Sequence, residues 1–282
     1  MQDPYKPAWC PGCGNFQIRE ALLKAIEKKG LRPNQIAIVS GIGQGAKMPH
    51  YIPCNTFNGL HGRSLPVATA LKAVNHKLVV IAEAGDGDIY GEGGNHLIHA
   101  MRRNPDISLF VHNNQIYGLT KGQASPTSVR DLKTKTQPFG LLSEPLNPVL
   151  LGVAMNASFV GRGFSGDVER LSELMVQAMD HKGFALLDIL QPCVTFNRVN
   201  TFAWYKKRVY YLEDHDPFDR KSAFERAMEW GERIPLGVIF KAKRPTFEEG
   251  IPFLRRGPLV EQGFDLERVK GALLGKEEGP GG

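Results

Sequence analysis

The sequence predicts an α/β protein, a mainly parallel sheet with helices on both faces. Short apolar runs at 36–40, 78–84, 107–112 and 185–190 read as buried strands. Amphipathic stretches of helical length lie between them, and that alternation builds parallel sheets through crossover helices. A third observation places the functional edge. Gly85-Asp86-Gly87 follows the 78–84 run and Asn113-Asn114 follows the 107–112 run, with 25 residues between Gly87 and Asn113. That interval allows one helix out and one strand back, so both tips fall at one sheet edge, where α/β folds bind ligands.

Composition narrows the class. The 282 residues are 42% hydrophobic and 23% charged, ordinary values for a soluble globular protein. No apolar run approaches the ~20 residues of a membrane span. The opening residues lack the apolar stretch of a signal peptide, so a cytoplasmic protein is expected. The net charge of +6 comes from 35 basic and 29 acidic residues that are interspersed. Such a surface is solvated, with a bias that suits anionic ligands or an acidic redox protein. No aromatic and basic pattern argues for nucleic acid.

In chain order, Trp9-Cys10-Pro11-Gly12-Cys13-Gly14-Asn15 comes first. Two thiols at this spacing suit one metal or cluster, or a redox disulfide. The preceding residues carry two prolines and no strand pattern, which counts against a thioredoxin-type motif and favours cluster ligation. Asn15 is expected to cap a helix with an apolar face of Phe16, Ile18, Leu22, Leu23 and Ile26, ended by Gly30. After the 36–40 strand, residues 41–46 match a dinucleotide-binding G-x-G-x-x-A. No Asp or Glu lies between Glu27 and Glu83, and Pro49 and Pro53 interrupt the helix that should follow, so that reading is set aside.

Helices are expected at 64–75 and 95–103, and again at 168–181 with Val168, Leu171, Leu174, Met175 and Ala178 on its apolar face. A strand is expected at 157–161, whereas the Pro- and Leu-rich stretch 128–152 carries no clear pattern. Beyond Cys193, a helix at 221–230 and a strand at 235–240 precede a flexible KEEGPGG tail. The chain divides into a cofactor-binding domain, 1–194, and an extension, 195–282, read as an arm on another subunit or as a plain surface excursion.

The two tips match a metal diphosphate. Mg²⁺ takes hard oxygen donors and is held by one or two protein oxygens plus substrate phosphates. Asp86 offers a carboxylate, Asn114 an amide oxygen and Ile116 a backbone carbonyl. Gly85 and Gly87 let a diphosphate approach the main chain. Two ordinary polar turns are the competing reading.

GDG, 25 residues and NN together resemble the thiamine diphosphate motif. The string YGEGGNH, RRNPDI, NNQIYGLTKGQASPTS is similar to the β subunits of 2-oxoacid:ferredoxin oxidoreductases, as are WCPGCGN at 9–15, SGIG at 40–43, HGR at 61–63 and QPC at 191–193. The likeness covers roughly the first 200 residues. It implies a thiamine-diphosphate-binding fold of the pyrophosphate type. Thiamine diphosphate and Mg²⁺ would be held by Gly43, His61, Gly62, Arg63, Gly85, Asp86, Gly87, Asp88, Asn114, Ile116, Tyr117, Gly118, Leu119 and Thr120. Leu119 would prop the cofactor in its bent form. Lys47 would face the substrate and pair with a distal carboxylate, against the competing reading of an exposed loop lysine.

The resemblance also implies a [4Fe-4S] cluster with a cysteine directly after GIG, where this chain has Gln44. Cys10, Cys13, Cys54 and Cys193 are then the expected ligands, with Cys54 substituting; the alternative is that Cys54 is a small buried apolar residue. The implied reaction is oxidative decarboxylation of 2-oxoglutarate or pyruvate to acyl-CoA, with electrons passed to ferredoxin. The glutamate that activates the coenzyme would come from an α subunit. A cluster-free thiamine-dependent decarboxylase or transferase half and a catalytically silent structural subunit are the other readings.

Overall fold

The computed structural model describes residues 6–263 and 266–274. The tail 276–282, expected to be flexible, lies outside them. The chain forms one eight-stranded sheet in the order β2-β1-β3-β4-β6-β5-β8-β7. The strands are β1 (Ile36–Ser40), β2 (Asn55–Asn58), β3 (Val79–Gly85), β4 (Ser108–Asn113), β5 (Phe159–Phe164), β6 (Ala185–Leu190), β7 (Val209–Tyr211) and β8 (Ile234–Lys241). Every neighbouring pair is parallel except β5 with β8. No helix among the described residues is long and apolar enough to cross a membrane.

The continuous apolar runs follow from helices on both faces. Along β3, Val80, Ala82 and Ala84 enter one core and Ile81 the other. Along β4, Leu109 and Val111 face the first core and Phe110 the second. A parallel strand covered on both sides has no outward row to make polar. The first core is closed by α2 (Ser64–Val74), α3 (Gly94–Arg103), α4 (Pro148–Ala154) and α7 (Arg220–Met228). The second is closed by α1 (Asn15–Lys28) and α5 (Val168–Asp180), which pack side by side. Each wholly buried Leu or Phe in these layers stabilises by about 1.5–3 kcal/mol.

Some expectations are corrected. Gly14, not Asn15, occupies the cap of α1; Asn15 is buried inside the first turn, where its Oδ1 meets Nδ1 of His112 at 2.7 Å. β5 begins at Phe159 rather than 157, and the preceding Ser158 hydroxyl donates to Asn104 Oδ1 at 2.6 Å. The 128–152 stretch ends in α4, whose first turn is capped by Asn147 accepting from the Leu150 N–H at 3.0 Å. β2 escapes periodicity because all four of its residues are exposed at the sheet edge. The segment after residue 194 shares the sheet: β8 pairs with β5, and α6 (Phe202–Lys206) sets Tyr205 against Phe164, Leu190, Ile234 and Leu236.

Asn104 pins the opposite edge. It ends α3 in the left-handed conformation at φ 59°, accepts the Phe184 N–H at 2.9 Å and donates to the Pro245 carbonyl at 2.9 Å. Asn104→Ala should remove these bonds, leave the Phe184 N–H unpaired and the Ser158 hydroxyl with the Phe184 carbonyl alone at 3.0 Å, and strain the cap. We expect a loss of about 3 kcal/mol in denaturant unfolding; a loss under about 1 kcal/mol would refute the role.

Candidate active site

Gly85 pairs with His112 across β3 and β4, so Asp86 and Asn113 emerge side by side at the carboxyl edge. Asp86 is 1% exposed. The hydroxyls of Ser125 and Thr127 each reach its Oδ2 at 2.6 Å. Burial lifts its carboxyl to about 6, against the pull of those two hydroxyls and the Gly87 N–H. Among the described residues this buried carboxylate meets hydroxyl and amide donors and no ion-pair partner, which marks it as a candidate site.

The neighbouring backbone is shaped around it. A methyl group on Gly87 would come within 2.3 Å of the Tyr117 ring, whose hydroxyl donates to the Gly87 carbonyl at 3.0 Å. A methyl group on Gly85 or Gly43 would meet nothing within 4 Å, so open space faces both. Asn114 is buried, and its Oδ1 accepts the Ile116 N–H at 3.0 Å across Gln115, which is left-handed at φ 59°. Tyr117 and Gln123 close a short loop through a 2.8 Å backbone bond, leaving Gly118, Leu119 and Thr120 at the rim. Leu119 is 42% exposed, and Thr120 donates to Gln123 Oε1 at 2.5 Å.

The remaining expected residues lie on the loops around this turn. Asp88 Oδ1 accepts the N–H groups of Gly62 at 2.7 Å and Ile42 at 3.1 Å, tying two loops to the turn after β3, with His61 Nδ1 at 3.5 Å. A methyl group on Gly41 would overlap this carboxylate. The Arg63 guanidinium is engaged with the His96 ring. Lys47 is half-buried in the 3₁₀ turn Gly45–Tyr51.

A layer behind Asp86 has no counterpart in the motif. Thr127 Oγ1 is also 2.9 Å from Asn113 Oδ1, and Asn113 Nδ2 donates to Asp188 at 3.0 Å. Tyr90 donates to the same carboxylate at 2.8 Å. Asp188 is raised by burial and drawn back by Arg162, which stands beside it on β5 and is itself 1% exposed. The signal for this layer was present as lone charges inside apolar strands, Asp188 in ALLDIL and Arg162 in FVGRGF.

The cysteines divide three to one. Cys10, Cys13 and Cys193 line a pocket of about 60 Å³ with Gln44, Asn114 and Gln191. Burial pushes the Cys13 thiol up to about 11, Cys193 and Cys10 add to the rise, and Gln191 donates to its sulfur at 3.3 Å. Among the described residues these thiols edge the pocket without closing round a common point. Cys54 is elsewhere. The turn Gly45–Tyr51 carries the chain back along the sheet, so Cys54 precedes β2 at the amino edge, whereas Gln44 follows β1 at the carboxyl edge. It packs against the second core, and its Sγ bonds the Asn55 carbonyl at 3.4 Å.

Residues 40–189 match the family described as thiamine pyrophosphate enzyme, C-terminal TPP binding domain, and residues 193–256 match the C-terminal family of the pyruvate ferredoxin oxidoreductase beta subunit. A 2-oxoacid:ferredoxin oxidoreductase subunit beta from Saccharolobus solfataricus is 43% identical over 258 residues, covering 86% of this chain and 85% of that one. The chain belongs to the 2-oxoacid:ferredoxin oxidoreductase beta-subunit family.

Within this family, a 2-oxoglutarate synthase subunit KorB from Archaeoglobus fulgidus is 37% identical over 261 residues, 93% of this chain and 94% of that one. A solved 2-oxoglutarate:ferredoxin oxidoreductase from Magnetococcus marinus, with 2-oxoglutarate, coenzyme A and succinyl-CoA bound, superposes with a TM-score of 0.89 at 34% identity, covering 96% of this chain and 94% of that chain. As a beta subunit of this family, the chain is one subunit of a multi-subunit oxidoreductase and carries its thiamine-diphosphate-binding domain.

The raised Asp86 value fixes a direction in pH. The folded carboxyl titrates at about 6 against an ordinary 3.8, so the folded chain holds this proton more tightly than the unfolded chain. The resulting stability is fully present below pH 3.8 and is lost as pH rises through about 6. In divalent-free buffer, Asp86→Asn should therefore gain stability over the parent across that window. A difference that stays flat with pH would show that Asp86 does not titrate there.

Proposed function

We propose that this chain supplies the thiamine diphosphate half of the active site of a 2-oxoacid:ferredoxin oxidoreductase. The enzyme would oxidatively decarboxylate 2-oxoglutarate or pyruvate to acyl-CoA and CO₂ and pass electrons through an iron–sulfur cluster to ferredoxin in the cytoplasm. The observation that carries the reading is the buried Asp86 carboxylate beside Asn113-Asn114, with open space over Gly85 and Gly43. Asp86, Asn114 through its amide oxygen and Ile116 through its carbonyl are the donors for Mg²⁺, an oxygen set that suits this hard cation. Bound there, the coenzyme supplies a nucleophilic carbon and an electron sink for decarboxylation.

The chain's own residues do the placing. Ser125 and Thr127 hold Asp86 by one carboxylate oxygen. Tyr117 braces the Gly87 carbonyl, and the exposed Leu119 side chain is the apolar prop beside the reactive ring. Lys47, in the turn behind Gln44, is the cation for a distal substrate carboxylate. The proton-transferring glutamate is assigned to the α subunit, which also excludes water from the open edge. Cys10, Cys13 and Cys193 provide thiolates for a cluster beside Asn114 and Gly118. A second reading, a cluster-free thiamine-dependent half, draws on the thiols that do not close round a point.

Anaerobic co-purification with the α subunit, followed by iron, sulfide and thiamine diphosphate analysis, separates the two readings. Asp86→Ala should abolish retention of Mg²⁺ and coenzyme with the fold intact; a variant that retains both at the parent level would end the metal assignment. Lys47→Ala should raise KM for 2-oxoglutarate roughly tenfold with little change for pyruvate, the loss of about one charge-assisted contact. Equal effects on the two substrates would remove Lys47 from the substrate site.

A further inference from the structure

We infer that the iron–sulfur site of this chain is a three-thiolate site, in which the fourth corner of the cluster faces the carboxamide of Gln44 and no cysteine. The inference rests on the proposed cluster and narrows it. Cys10, Cys13, Cys193 and Gln44 line the same pocket, and Cys54 lies at the other edge of the sheet. Gln44 Oε1 is buried without a hydrogen-bond partner, an orphaned acceptor among three sulfur donors. The backbone around it is fixed, because the Trp9 indole N–H donates to the Gln44 carbonyl at 2.8 Å. A methyl group on the next residue, Gly45, would come within 2.9 Å of the buried His112 ring. The four residues of β2, at ~3.3 Å each, put ~13 Å of strand between the start at Cys54 and the Gln44 edge.

A neutral carboxamide oxygen is a hard donor and a poor replacement for a thiolate on iron. Two consequences follow. The iron at the Gln44 corner is removable, and the cluster carries one negative ligand charge fewer than a four-thiolate site, which raises its reduction potential. Removal balances without an oxidant: a ferrous ion leaves a [4Fe-4S]²⁺ core to a chelator and a neutral [3Fe-4S] core remains, with all sulfides and three thiolates in place.

The test uses the complex with its α subunit, purified without oxygen and treated with EDTA, and measures iron, sulfide, coenzyme and the Mössbauer and electron paramagnetic resonance spectra. We expect the parent to fall from about four to about three irons per four sulfides, with the spectra of a three-iron cluster. Gln44→Cys should keep all its iron and show a lower potential, and Cys54→Ser should behave as the parent. Full iron retention by the EDTA-treated parent, or loss of cluster in Cys54→Ser, overturns the inference. A complex that holds coenzyme but no iron overturns it together with the cluster, and leaves the thiamine reading standing. If Gln44→Cys does not fold, the parent and Cys54→Ser arms still decide.

Discussion

A carboxylate taken wholly out of water has to be compensated, and Asp86 is the place where this fold depends on that rule. Ser125 and Thr127 are brought over from a loop about 40 positions downstream to hold one of its oxygens. They can reach it because Ser128 ties that loop to the Gln115 carbonyl at 2.6 Å. Loop, strand tip and the turn after β3 thus form one assembly around this carboxylate. Asp88, two residues on, faces away from this task and spends its charge on backbone amides of two other loops. Two acids in one tetrapeptide have opposite duties because only one of them is given donors from the main chain of distant segments.

The arrangement extends inward. Asn113 presents its amide nitrogen to Asp188, so its oxygen is turned to Thr127. Thr127 has one proton and two acceptors within reach, while Ser125 keeps a donor on Asp86 whichever way that proton points. The buried Arg162 supplies the opposite charge that lets Asp188 sit in the middle of the sheet. Nε and Nη1 of Arg162 are buried without a hydrogen-bond partner among the described residues, so the guanidinium serves Asp188 by its charge.

Much of this was legible in the chain itself. The strands that hold the site are buried on both faces, so hydrophobicity alone marks β1, β3, β4 and β6, and the paired tips mark the edge where chemistry belongs. What escaped has physical reasons. β2 is exposed along its whole length and β7 is three half-buried residues, so neither carries an alternation to find. Ser125 and Thr127 lie in a loop whose partners are distant in sequence, and no periodicity reports such contacts. Asn15 has the residue type of a helix cap, but tertiary packing claimed it for His112 and left the cap to Gly14. Cys54 was placed by counting thiols, whereas the path of the 3₁₀ turn decides which edge of the sheet a residue reaches.

One local irregularity has a reach beyond its own six residues. Gly87–Glu92 winds as a π-helical segment before α3 begins, so it uses more residues on each turn than an ordinary helix does. That surplus advances the angular phase of everything after it. Leu97, Ala100 and Met101 fall against the sheet because of it. Deleting a single amino acid from the widened coil would rotate the following helix by roughly 100° about its axis and swing a different stripe of side chains toward the core. Indels in this short interval would therefore be read as misfolding of an entire layer rather than as trimming of a loop.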